Sequence, residues 1–145
     1  RCLSRGLGDV YKRQDVVVAN NLSDASVGSI KTLDNIHSHE MILDLGPETV
    51  EKISKIVKNS KTIIWNGPLG VFEIEQFSKG TKNVSLAVAE SKAFSAAGGG
   101  DTIAAIEKYN IARDISYIST GGGAFLKFLE SGSLPALKIH PENHH

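Results

Sequence analysis

From Asp15 onward, short apolar runs alternate with stretches whose apolar residues recur at helical spacing. "DVVVA" (15–19) is rich in β-branched residues and bounded by the turn-forming "NN", which predicts a buried strand. "MILDLG" (41–46) repeats that pattern. Pro47 then suits a first helical position, and Val50, Ile53, Ile56 and Val57 follow at helical spacing. "KTIIWNG" (61–67) predicts another strand ending in a turn. After the loop "PLGVFEIEQF", Val84, Ala87, Val88 and Ser91 mark one face of a helix beginning near Ser78 or Lys79. The small residues of "KAFSAA" (92–97) predict a strand, a helix follows over about 102–109, and "ISYIST" (115–120) is the next strand. A last helix, about 124–131, stops at Gly132 with Pro135 just beyond.

This βαβ alternation predicts an α/β fold: a three-layer, mostly parallel, Rossmann-like sheet with helices on both faces and right-handed crossovers. Ligands of such sheets bind outside the carboxyl ends of the strands. There lie "WNGP", "GGGDT" and "STGGG", so three turns from separate parts of the chain are expected on one edge.

At 145 residues the chain is one domain by length. Sixteen basic and sixteen acidic side chains cancel, so no net field draws it to nucleic acid or to an anionic membrane, and any bound anion needs a local site. Cys2 is the only cysteine, which excludes an internal disulfide and suits a reducing compartment. The sequence shows neither an apolar run of membrane-spanning length nor a signal-peptide core, so a cytoplasmic location is expected. The opening "RCLSRGLGDVYKRQ" (1–14) has no sustained period. It reads as an adaptor-derived segment, with a disordered basic arm as the alternative, and the missing initiator Met suggests truncation. Residues 138–145 read as a tail.

Six of the fourteen glycines fall in two triplets, Gly98–Gly100 and Gly121–Gly123. Glycines before a helix let the backbone approach a ligand, while the unpaired N–H groups and positive end of the helix favour an anion. In "GGGDT", Asp101 can cap the helix or meet a magnesium ion, and Thr102 offers a hydroxyl and an N–H to a phosphate. An ordinary N-cap in a tight turn explains the same residues equally well. The second triplet carries no acid and could surround a negative group; its plainer explanation is close packing of helix on strand. In "WNGPLGVFE", Trp65 is a core or pocket-wall aromatic and Asn66-Gly67-Pro68 a sharp turn. Glu73 is either a solvated glutamate or a carboxylate able to accept both hydroxyls of a ribose. Neither a Walker loop nor a GxGxxG fingerprint is present. His37, His39, His140, His144 and His145 lack the pattern of a metal site and receive no role.

In combination and order, "LDLGPET", "KTIIWNGPLGVFE", "GGGDT" and "STGGGAFLKFLESGSLP" resemble the C-terminal part of phosphoglycerate kinase, over 15–137. The resemblance implies roughly the last third of a family chain and an incomplete half of its nucleotide-binding domain. The implied activity is transfer of the acyl phosphate of 1,3-bisphosphoglycerate to Mg-ADP, giving 3-phosphoglycerate and ATP, by a monomeric parent. It further implies that Asn66, Gly67 and Pro68 line the nucleotide site and that Glu73 bonds the ribose. Gly98, Gly99, Gly100, Asp101 and Thr102 would receive the ATP or ADP phosphates, with Asp101 on Mg2+, and Gly121, Gly122 and Gly123 would point N–H groups at the phosphoryl group in flight. The family binds phosphoglycerate on an N-terminal domain that this sequence lacks. The chain alone is therefore expected to be inactive; the alternative is a stand-alone, non-catalytic nucleotide-binding or regulatory module. A half-domain also implies an unpaired sheet edge, expected at the strand near Asp15, with marginal stability and self-association through it.

Overall fold

Strand β1 (Asp15–Ala19) forms where its β-branched run predicts, with Val16 and Val18 fully buried. Its partners are β2 (Ser29–Thr32) on one side and β3 (Met41–Leu45) on the other, both antiparallel, with an irregularity in register between Val17 and Val18. The computed structural model describes residues 14–23, 25–121, 125, 127 and 130. The expectations for residues 1–13, most of the last helix, Gly122, Gly123, Gly132, Pro135 and the 138–145 tail fall outside these.

This first sheet corrects two expectations. A single, mostly parallel sheet does not form: β1 pairs antiparallel with both neighbours, and for β2 the connection of residues 20–28 is shorter than the dozen or so residues that a parallel crossover requires. Only a 3-10 turn, Leu33–Asn35, breaks the path from β2 to β3. The strand near Asp15 is also not an edge: β1 is the middle strand, and the outer positions belong to β2 and β3. The pattern of "SIKT" did not announce β2, since Ile30 is largely exposed and no alternation separates a buried face.

Helix α1 (Pro47–Asn59) begins at Pro47 as predicted, and α2 (Lys79–Glu90) begins at Lys79. Ser91 lies just beyond α2, its N–H and hydroxyl both donating to the Val88 carbonyl. Leu45, Val50 and Val84 form one buried cluster, lined by Ile53, Val57 and Leu69. Ala19, Leu43 and Phe77 form another, lined by Val17, Val71 and Ile74.

The start of α1 is capped from a distance. The carboxylate of Asp15 accepts the N–H groups of Thr49 (2.8 Å) and Glu48 (3.1 Å), and the Thr49 hydroxyl accepts the N–H of Asp15 (3.0 Å). Burial opposes ionisation of Asp15, but the hydrogen bonds from the Thr49 side chain and from the Thr49 and Glu48 backbone outweigh it and hold the carboxyl below the ordinary aspartate value. Asp44 acts likewise on α2, accepting the Gly80 N–H at 2.8 Å. Here burial dominates over the hydrogen bonds from Gly80 and Leu45 and raises the carboxyl above its ordinary value.

The second sheet has the expected parallel form, in the order β4 (Thr62–Trp65), β5 (Phe94–Gly98), β6 (Tyr117–Ser119), with α2 and α3 (Gly100–Lys108) as the intervening helices. Helix α3 ends in a left-handed Asn110 (φ +54°), where the Asn110 N–H meets Glu107 O and the Ile111 N–H meets Ile106 O, a Schellman ending. The chain divides into two compact units, Arg1–Val57 with Leu69–Val84, and Lys58–Pro68 with Ser85–His145. Among the described residues no helix is long and apolar enough to cross a membrane.

Candidate functional site

In the second unit, Trp65 pairs with Ala97 across β4 and β5, and Gly98 with Ser119 across β5 and β6. The carboxyl ends of the three strands are therefore nearly level, and the turns 66–68, 99–102 and 119–121 leave from one edge of the sheet, as the alternation implied.

The first turn is held by its own tryptophan. The half-buried Trp65 donates Nε1–H to the carbonyl of Gly67 at 2.7 Å, and Gly67 has φ +143°, a conformation open to glycine. Asn66, beside it, is exposed. Across the sheet, Gly99 adopts φ +94° and is the N-cap of α3. A Cβ placed on Gly99 would stand 3.3 Å from Asn66 Oδ1 and 3.6 Å from Thr102 Oγ1, so the absent side chain leaves a small polar space between these two atoms.

Asp101 does not cap the helix. Glycine occupies the N-cap, no side chain caps the first turn, and Asp101 lies within that turn, exposed to solvent. The helix starts earlier than predicted because the left-handed Gly99 turns the chain into it one residue before Gly100. The Thr102 hydroxyl is buried and has no hydrogen-bond partner. Such a group costs about 1–3 kcal/mol when left unpaired, so its presence at an uncapped helix start is a chemical observation as much as a structural one.

Gly98 has a different setting. It is buried in β5, and a Cβ there would overlap the ring of Phe125, a helical residue shortly after the second triplet. Close packing accounts for this glycine. At the end of β6 the Ser119 hydroxyl donates to the carbonyl of Gly121 (3.2 Å), and the Phe125 N–H meets the same carbonyl at 3.4 Å.

Glu73 belongs to the first unit. Its side chain is exposed and lines a cleft with Ile74, Glu75, Gln76 and Lys79. His37 and His39 are exposed and stack on each other, with ring centroids 5.6 Å apart. Among the described residues no group of three His, Cys, Asp or Glu could hold a metal ion. The structural use of Asp15 and Asp44 as remote helix caps was missed in the sequence; the available signal was an acid set within or against an apolar strand.

Parallel strands opening into glycine turns, with an uncapped helix start at their carboxyl end, are features of α/β proteins that hold phosphorylated ligands. The chain belongs to the phosphoglycerate kinase family: the family model described as phosphoglycerate kinase matches residues 7–132. It is 52% identical to the phosphoglycerate kinase of Coxiella burnetii, with a TM-score of 0.79, over 87% of this chain and 33% of that one. It is 40% identical to the phosphoglycerate kinase of Pyrococcus horikoshii OT3, with a TM-score of 0.68, over 86% of this chain and 31% of that one. The chain thus spans about a third of the length of these solved kinases.

Proposed function

We propose that this chain supplies the phosphate end of the nucleotide site of a cytoplasmic phosphoglycerate kinase. The whole enzyme transfers the acyl phosphate of 1,3-bisphosphoglycerate to Mg-ADP and yields 3-phosphoglycerate and ATP. The observation that carries the reading is the unpartnered, buried hydroxyl of Thr102 at the uncapped start of α3, next to the space left by Gly99. A phosphate oxygen at this point would pair that hydroxyl and meet the free N–H groups of the first helical turn.

In this reading Gly98–Gly100, Asp101 and Thr102 form the phosphate turn, and Asn66, Gly67 and Pro68 line the nucleotide. Glu73 accepts the ribose hydroxyls. Gly121, Gly122 and Gly123 turn N–H groups toward the phosphoryl group in transfer. The donor set fits magnesium, which takes one or two carboxylates together with phosphate oxygens, and exposed Asp101 is the carboxylate available at the turn. Magnesium, when bound, neutralises charge on the phosphate oxygens. Little covalent help from the protein is needed: the attacking oxygen of ADP is already ionised, so these residues serve to position the nucleotide and stabilise charge.

Because phosphoglycerate binding resides in a domain outside this sequence, the isolated chain binds nucleotide without turnover. Calorimetric titration with ADP, with and without magnesium, tests the reading. Binding that magnesium strengthens in the wild type and not in Asp101→Ala is expected. Equal magnesium dependence in both proteins, or no ADP binding by the wild type, would overturn it.

A further inference from the structure

Glu73 sits on a loop whose backbone is tied down on both sides of it. The hydroxyl of Thr81, a fully buried residue in α2, accepts the N–H groups of both Leu69 and Gly70, each at 3.1 Å. One residue further, the Val71 N–H donates to the carbonyl of Leu43 in β3 at 2.8 Å. Phe72 is buried, and Ile74 packs on the cluster of Ala19, Leu43 and Phe77. Gly70 also lies so close to the Asp44 carboxylate that a Cβ on it would overlap that group. The outcome is an exposed carboxylate presented between two anchored neighbours, with one threonine hydroxyl serving as acceptor for two consecutive amides.

We propose that Thr81 is a positioning residue for the nucleotide ribose, acting through the 69–72 loop to fix the backbone that carries Glu73. The inference rests on the reading of Glu73 as the ribose carboxylate. Thr81 touches no nucleotide; it determines where Glu73 stands. A serine can replace it, because the hydroxyl is what the two amides need, whereas valine keeps the shape and removes the acceptor.

The test uses the full chain. In the wild type, amide hydrogen exchange at Leu69 and Gly70 is expected to be slowed by about a hundredfold relative to an open loop, and exchange there as fast as in an unstructured segment would overturn the inference without any variant. In Thr81→Val that protection is lost and ADP affinity falls about tenfold, while affinity for 2′,3′-dideoxy-ADP, which lacks the ribose hydroxyls, stays level. Thr81→Ser restores both. Glu73→Gln lowers ADP affinity alone by a similar factor, and combining it with Thr81→Val adds nothing further. If Glu73→Gln leaves the ratio of ADP to dideoxy-ADP affinity unchanged, or the wild type binds neither, the ribose reading falls and the inference with it. If Glu73→Gln collapses that ratio and Thr81→Val does not, the ribose reading stands and the positioning role of Thr81 is overturned.

Discussion

Replacing Thr102 by valine should stabilise the ligand-free chain, whereas removal of a buried polar group that has its partner destabilises a protein. The Thr102 hydroxyl is buried without a partner, while the rest of the side chain fills its place in α3. Valine has nearly the same shape and a similar helix propensity, so the substitution changes little except to remove an unpaired polar atom. An unpaired buried hydroxyl costs about 1–3 kcal/mol; allowing for some relaxation around it, the gain should be about 1 kcal/mol, or about 2–4 °C in melting temperature. Urea unfolding followed by far-ultraviolet circular dichroism measures this directly, with Thr102→Ser as the control that keeps the hydroxyl and loses a methyl group. The same series in saturating Mg-ADP should show the order reversed, because in the proposed site a phosphate oxygen pairs the hydroxyl and only the threonine and serine proteins profit. A valine protein less stable than the wild type without nucleotide would refute the reasoning, since the hydroxyl would then be satisfied in the free chain.

Four further outcomes are expected. Thr49→Val removes the side chain that accepts the Asp15 N–H and supports the Asp15 carboxylate, and should cost about 2 kcal/mol in urea unfolding, with Thr49→Ser well short of that. Gly98→Ala forces a methyl group into the Phe125 ring and should destabilise by about 1–3 kcal/mol, an effect that Phe125→Leu in the same chain partly relieves. Asp44, raised above 3.8 by burial, binds its proton more readily in the folded chain; its contribution is therefore full below 3.8 and is lost as pH rises through the folded value, and Asp44→Asn should abolish that slope in a series of melting curves. Asp15, held below 3.8, works oppositely: its stabilisation is present above that value and lost as pH falls through the folded one, so Asp15→Asn should flatten the acid limb alone.

Positions of the strands and helices were largely legible along the chain. The β-branched run of β1, the Pro47 start of α1 and the Val84, Ala87, Val88 face of α2 are local patterns, and local patterns record which side of an element meets solvent. The motif order was legible too, and it led to the family. Strand direction was not. The same short apolar run serves a parallel or an antiparallel ladder, and only the β1–β2 pair has a connection too short for a crossover; the direction of β3 is set by its pairing with β1 in space. The caps were equally hidden: Asp15 reaches Thr49 and Asp44 reaches Gly80 across 34 and 36 residues, a pairing that exists only after the strands and helices have come together.

"GGGDT" by itself permitted a capped turn or a phosphate turn, with Asp101 as the natural cap. The folded chain removed the capping role of Asp101, by bringing the left-handed Gly99 to the N-cap and leaving Asp101 in solvent, and it buried the Thr102 hydroxyl without a partner. The residue types were set by the sequence. Which of their polar atoms are satisfied, and which are left without a partner, is a property of tertiary neighbours such as Asn66 on β4's outgoing turn, because a hydrogen bond depends on distance in space rather than along the chain.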